Sequence, residues 1–255
     1  FYDFLKLWLV KETILPAKGS VITFMAAPVI ALTGAALSGI LILLPAFNIH
    51  SGFSGDLIVI FYLLAVPSFT YILGALAAGN PLSSVGASRE MKLVLSYELT
   101  FLLVLAAVIM KAGMTVRLEG ILQAQINGGA FAGSISGVLL CIVLVCCIQA
   151  KLGLVPFDMA EAETEINHGT FIEYSGSAYA LIKLARYMMM FILPAFACVL
   201  LLGGLRTDGI HVVWTILKLL GVVLLITLIR NTNPRIRIDQ AMRFFFIWMN
   251  LLAIL

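Results

Sequence analysis

The sequence predicts an all-α fold: a polytopic transmembrane helix bundle of seven spans, preceded by an amphipathic helix at residues 1–18 that lies in the membrane interface. Three observations predict it. Of 255 residues, 62% are hydrophobic and only 11% charged, and mean hydropathy is +1.10. A soluble domain carries about 25% charge, so too few charges are present to cover a water-facing surface. Apolar runs recur at about 20–47, 55–78, 92–112, 131–151, 176–202, 210–229 and 240–255, near the roughly 20 residues that cross a bilayer. The 16 Lys and Arg residues are also distributed unequally between the two sides those crossings define.

The elements follow in chain order. In residues 1–18, Asp3, Lys6, Lys11 and Lys18 share one arc of a helical wheel. Phe1, Phe4, Leu5, Trp8, Leu9 and Leu15 fill the other, with Glu12 the exception. This pattern suits a helix with its apolar side in lipid and its lysines among headgroups. Residues 19–255 form one membrane domain, with short polar connections, no repeat and an acidic loop at 152–175. Pro28, Pro67 and Pro194 lie inside spans, where each removes a backbone donor. Ala35 and Gly39 permit close helix approach. The chain starts inside a helical pattern and ends inside an apolar run, so further residues are expected at both ends.

Alternating crossings place Lys6, Lys11, Lys18, Arg89, Lys92, Lys151, Lys183, Arg186, Arg230, Arg235, Arg237 and Arg243 on one side. Lys111, Arg117 and Arg206 fall on the other, and Lys218 inside a span. The basic-rich side is expected to be cytoplasmic.

Charges inside spans cost a few kcal/mol each and mark functional positions. Glu98, one to two turns into the third span, has a stem too short to reach the interface. Tyr179, Lys183, Arg186 and Tyr187 share a face of the sixth run's helix by three-and-four spacing. Lys183, Arg186 and Lys218 can also be read as snorkelling bases. Between Lys151 and Ser175 lie Asp158, Glu161, Glu163, Glu165 and Glu173, five of the chain's 13 acids. Asp158, Glu161 and Glu165 would share one face if that stretch were helical. Partly buried neighbouring carboxylates raise one another's pKa, so the row could relay protons or cations. An ordinary solvated loop is the competing reading.

Other chemistry finds no support. Cys141, Cys146, Cys147 and Cys198 sit in apolar runs without a CxxC spacing, and so read as buried small side chains. No EF-hand loop, dinucleotide fingerprint, phosphate loop or nucleophile elbow occurs, and His168 alone is no ligand set. No cofactor or metal site is expected in this chain, and no nucleic-acid partner.

The run Pro156-Phe157-Asp158-Met-Ala-Glu161-Ala-Glu163-Thr-Glu165, followed by Glu173-Tyr174-Ser175-Gly176, resembles the signature loop of the H-type membrane subunit of respiratory complex I and its hydrogenase relatives. Gly86-Ala87-Ser88-Arg89-Glu90-Met91 with Ser96-Tyr97-Glu98, and Arg235-Ile-Arg237-Ile-Asp239-Gln240, resemble two further segments of that family in the same order. The family has eight spans, so the resemblance implies a first span ahead of residue 1. Ser88-Arg89-Glu90-Met91 and Ala-Leu-Ile-Lys183 look more like membrane-bound and energy-converting [NiFe]-hydrogenases and formate hydrogenlyase, and Arg186 stands where a quinone-reducing member would carry an acid.

What this resemblance implies is an anchor and coupling subunit, itself not catalytic, in a prokaryotic cytoplasmic membrane. It would dock a peripheral hydrogenase arm with [4Fe–4S] clusters and a Ni–Fe centre, fed by ferredoxin or formate, and lie beside antiporter-like membrane subunits. Glu98, Glu161, Glu163, Glu165, Lys183 and Arg186 would couple to proton or sodium movement. Asp158, Glu173, Arg89, Arg237 and Asp239 would fix the loop or dock the arm. The alternatives are a quinone-chamber subunit of a complex I-type enzyme, a passive scaffold, and a stand-alone secondary transporter, which predicts inverted repeats.

Overall fold

The computed structural model describes residues 2–47, 55–161, 163–205, 209 and 211–254, and within them every regular element is helical. Helix α1 is Tyr2–Leu9, α2 Val21–Leu43, α3 Asp56–Ala77, α4 Pro81–Lys111, α5 Leu118–Gly128 and α6 Ile135–Lys151. Then follow α7 Glu163–Ile166, α8 Gly176–Leu201, α9 His211–Thr232, α10 Ile238–Arg243 and α11 Asn250–Ile254. A π-helical turn, Phe244–Met249, joins the last two.

Among the described residues five helices, α2, α3, α4, α8 and α9, are long and apolar enough to cross a bilayer, making this an integral membrane protein. The other two expected spans are shorter. Helix α6 has 17 residues, about 25 Å at 1.5 Å per residue. The last is assembled from α10, the π turn and α11, of 6, 6 and 5 residues.

The interfacial helix expected over 1–18 is shorter than its sequence pattern. Lys6 O accepts from both Val10 N and Lys11 N, closing α1 after Leu9. The chain then runs extended across the start of α8. Ile14 N donates to Ser175 Oγ at 2.9 Å, and Ser175 Oγ donates to Glu12 O at 3.3 Å. A Cβ at Gly176 would stand 2.7 Å from Glu12 O. Backbone groups that a helix would satisfy internally are thus partly paired across the chain.

The third span begins eleven residues earlier than its apolar run, because Asn80 caps it: its Oδ1 accepts Leu82 N at 2.9 Å, and Pro81 takes the first helical position. Helix α5 has no counterpart among the expected spans. Its polar stretch reads as a connection, yet Leu118, Ile121 and Gln125 recur at helical spacing and are buried. Gln125 Nε2 donates to Val199 O and Leu200 O, and its Oε1 accepts Gly203 N, closing the end of α8.

The core lies between α3, α4, α6, α8 and the last helix. Small residues set its close approaches, as the sequence suggests: a Cβ at Gly34 would lie 2.8 Å from Val66, and one at Gly39 3.0 Å from Ile192. The three prolines are accommodated inside α2, α3 and α8. On the last helix Asn250 Nδ2 donates to Phe246 O, while Thr100 Oγ1 of α4 donates to Asn250 Oδ1 at 2.7 Å.

Candidate functional site

Two devices hold the acidic loop against the helix ends. A Cβ at Gly86 of α4 would stand 2.7 Å from Thr170 N, so glycine there lets the loop backbone rest on the helix. Tyr174 stacks on Phe24 with ring centroids 4.1 Å apart and donates from its hydroxyl to Phe24 O at 3.0 Å. Burial pushes the Tyr174 phenol up from its ordinary pKa.

Pairs with neighbouring elements tie down the rest. Asn80 Nδ2 donates to Glu173 Oε1 at 2.5 Å. Arg89 of α4 pairs with Glu165 at 2.6 Å, and this hydrogen bond and charge hold the Glu165 carboxyl below the usual carboxylate range. Ile236 N donates to Pro156 O, and Arg235 donates to Asp158 O. Arg186 of α8 grips Glu161 with both terminal nitrogens, a bidentate pair. Its guanidinium lies over the Phe171 ring, 4.5 Å from the centroid.

Residues 158–161 are not helical, so Asp158, Glu161 and Glu165 do not line one helical face. They point to different partners because the short α7 begins only at Glu163. The Glu163 side chain and Arg206 lie outside the described residues.

Behind the Arg186–Glu161 pair is a small, partly enclosed cavity. Ser68 and Tyr71 of α3, Glu90 of α4, Lys151 of α6, Asp158, Glu161 and Arg186 are among its walls. At Lys151 the cavity meets a second pair, deep in the bundle. Lys151 Nζ donates to Glu98 Oε1 at 2.5 Å, with side chains 2% and 13% exposed. The ammonium lies 4.9, 5.6 and 5.9 Å from the ring centroids of Phe101, Tyr97 and Phe61, a cation–π cage. Tyr97 hydroxyl donates to Ser68 Oγ at 3.0 Å. Glu98 Oε2 is buried and has no hydrogen-bond partner among the described residues.

The chain matches the family model described as NADH dehydrogenase over residues 1–255. It belongs to the NADH dehydrogenase family. The H subunit of NADH-quinone oxidoreductase from Ruthia magnifica subsp. Calyptogena magnifica is 32% identical over 257 residues, covering 94% of this chain and 71% of that protein. Its counterpart from Brevibacillus brevis is 33% identical over 256 residues, covering 96% and 73%. Among solved structures, a chain of the membrane-bound sulfane sulfur reductase, an archaeal respiratory membrane complex, superposes with a TM-score of 0.87 at 26% identity, over 99% of this chain and 83% of its own. The H-type resemblance of the signature loop therefore extends through the whole sequence and fold.

Within this NADH dehydrogenase family member, several expected site residues meet. Glu161 and Arg186 pair at the cavity, Asp158 joins its wall, and Glu98 is reached through Lys151. Glu165 and Arg89 pair outside it, and Glu173 accepts from Asn80, the cap of α4. Lys183 lies over the Tyr179 ring at 5.1 Å and does not line the cavity. Tyr187, on the same helix, is exposed. Arg237 and Asp239 are exposed at the start of α10, where Arg237 N donates to Gln240 Oε1.

Among the cavity residues that sequence reasoning missed are Lys151, Tyr71, Glu90 and Ser68. Lys151 reads as an ordinary charge at a helix end, and Tyr71 as core. Glu90 sits in a quoted motif, and its eight-residue spacing from Glu98 already places both on one side of a helix. Among the described residues no cluster of His, Cys, Asp and Glu could hold a metal.

Proposed function

We propose that this chain is the membrane anchor and coupling subunit of a complex I-like respiratory complex of the membrane-bound [NiFe]-hydrogenase type. It docks a peripheral arm at the cytoplasmic acidic loop and links electron transfer there to movement of protons or sodium ions. Iron–sulfur clusters and the Ni–Fe centre belong to the arm, and antiporter-like subunits flank the membrane domain. The observation that carries this reading is the continuity of charge from loop to bilayer interior: Arg186–Glu161, the cavity with Glu90 and Asp158, then Lys151–Glu98.

Such an arrangement responds to a nearby electron. Two unit charges at roughly 10 Å and an effective dielectric constant of about 20 interact by about 1.7 kcal/mol, more than one pKa unit. That is enough to change the proton occupancy of a poised carboxylate. Arg186 supports the hydrogenase branch, because it fixes Glu161 with a base where the resemblance leads one to expect an acid in quinone reducers.

The second reading, a quinone-chamber subunit of an NADH- or ferredoxin-linked quinone reductase, is favoured by the names of the relatives. Purifying the intact complex separates the two. Hydrogen evolution without bound quinone supports the first; quinone in the organic extract with quinone-dependent turnover replaces it with the second. Within either, Glu98→Gln is expected to lower ions moved per electron while electron transfer persists. Unchanged stoichiometry removes Glu98 from the path.

A further inference from the structure

We propose that Lys151 is the proton donor and acceptor of Glu98, so that the buried pair works as a proton-transfer unit and not as a fixed salt bridge. This rests on the coupling role given to Glu98 above and adds the residue that loads it. Lys151 Nζ donates directly to Glu98 Oε1, with no group between them, so a proton can pass from one to the other along a single hydrogen bond. Both side chains are withdrawn from water. Removing two charges from water costs several kcal/mol per ion, which narrows the gap between a charged pair and a neutral one. The rings of Phe61, Tyr97 and Phe101 offset part of that cost for the ammonium.

The two oxygens of Glu98 are unequal. Oε1 faces Lys151, and Oε2 is buried without a partner among the described residues. Lys151 in turn lines the cavity with Glu90, Asp158 and Glu161. In the transfer step one Nζ–H bond breaks and one O–H bond forms on Glu98 Oε1. Ammonium and carboxylate become neutral amine and neutral acid, and no electron moves. Rotation about the last side-chain torsion carries the protonated oxygen to the side without a protein partner, where water takes the proton as hydronium and the carboxylate is restored. The amine regains its proton from a protonated carboxyl of the cavity wall, Glu90 or Glu161, which becomes carboxylate. The ionisable groups around Lys151 are Glu98 and Tyr97 on α4 and Cys147 on its own helix, besides the cavity acids.

Lysine and arginine divide the two possibilities, because guanidinium keeps its proton in proteins. Arginine can hold a salt bridge but cannot pass a proton. The test measures electron transfer and ion uptake separately in the purified complex in lipid vesicles, for wild type, Glu98→Gln and Lys151→Arg, with copurification of the partner subunits as the assembly check. The expected result is assembled complexes in which both variants lose about tenfold or more in ions moved per electron. Lys151→Arg at wild-type stoichiometry with Glu98→Gln impaired overturns the proposal and leaves the coupling role of Glu98 standing. Impairment of Lys151→Arg alone also overturns it, since Glu98 is then not the acceptor. Both variants at wild-type stoichiometry remove the coupling role as well. Should Lys151→Arg fail to assemble, infrared difference spectra of the wild-type complex decide. A carboxylic-acid signal that appears in turnover and vanishes in Glu98→Gln supports the transfer, and its absence from wild type overturns it.

Discussion

Helices α4 and α9 are both apolar and both long enough to span a bilayer, and they are used in opposite ways. Half of the apolar stretch of α4 is buried inside the protein, against 6% of that of α9, although α9 is the more hydropathic. Helix α4, with its cap Asn80, carries Gly86, Arg89, Glu90, Glu98 and Thr100, each facing loop, cavity or neighbouring helix. Helix α9 buries only Ile226 and exposes Trp214, Leu217, Leu220, Leu224 and Leu228. Lys218, in its second turn, reaches Leu202 O at the end of α8. Apolarity selects what enters lipid, whereas chemistry sits where a helix is surrounded by protein and polar groups find partners.

Substitutions can break this contrast. The largest effect is expected from Lys151→Met, which leaves Glu98 buried without its partner at a cost of about 3–5 kcal/mol. Thermal unfolding in detergent should show this, and the double variant with Glu98→Gln should recover most of it. A double variant as unstable as the single one would mean that Lys151 contributes through packing alone. Next comes Gly86→Ala on α4: its Cβ would stand 2.7 Å from Thr170 N and 2.8 Å from Gly169 C. The expected cost is about 1–3 kcal/mol, with earlier proteolytic cleavage in 161–175. Unaltered cleavage would show that the loop does not depend on this contact.

Asn80→Ala removes an N-cap and a partner of Glu173, worth about 1 kcal/mol at the cap. Leu220→Ala on α9 serves as the opposite control. In lipid the side chain leaves one apolar surrounding for another, so a change within about 0.5 kcal/mol is expected; a larger loss in the assembled complex would place a partner subunit on that face.

The smallest effect is the pH response of Arg89–Glu165. The folded pKa of Glu165 lies below its unfolded value because of Arg89. The pair therefore stabilises above the unfolded value and fades as pH falls through the folded one. Wild type and Glu165→Gln should differ near neutrality and converge in acid; a difference that persists in acid assigns the stabilisation to something other than ionisation.

Much of this protein was legible in its amino acids. Seven apolar runs locate the five spanning helices and the two shorter ones, because transfer of a side chain into lipid depends on its own chemistry and its neighbours in sequence. Glu98 and Arg186 stand out for the same reason, as charges where charge is costly. The acidic loop announces itself by composition, and its wording resembles a family that the whole chain proves to match. Pairing was not legible. Glu98 and Lys151 are 53 positions apart, and Arg89 and Glu165 are 76 apart. Nothing local distinguishes Lys151 as a buried partner from Lys183, which lies over a tyrosine ring off the cavity. The extent of α1 and the existence of α5 were likewise settled by distant groups, Ser175 for one and the end of α8 for the other. Local composition decides which segments become helices and enter the membrane, since that free energy sums residue by residue. Only the packed bundle decides which charges meet, since a hydrogen bond needs two atoms within about 3 Å and the chain carries no record of that distance.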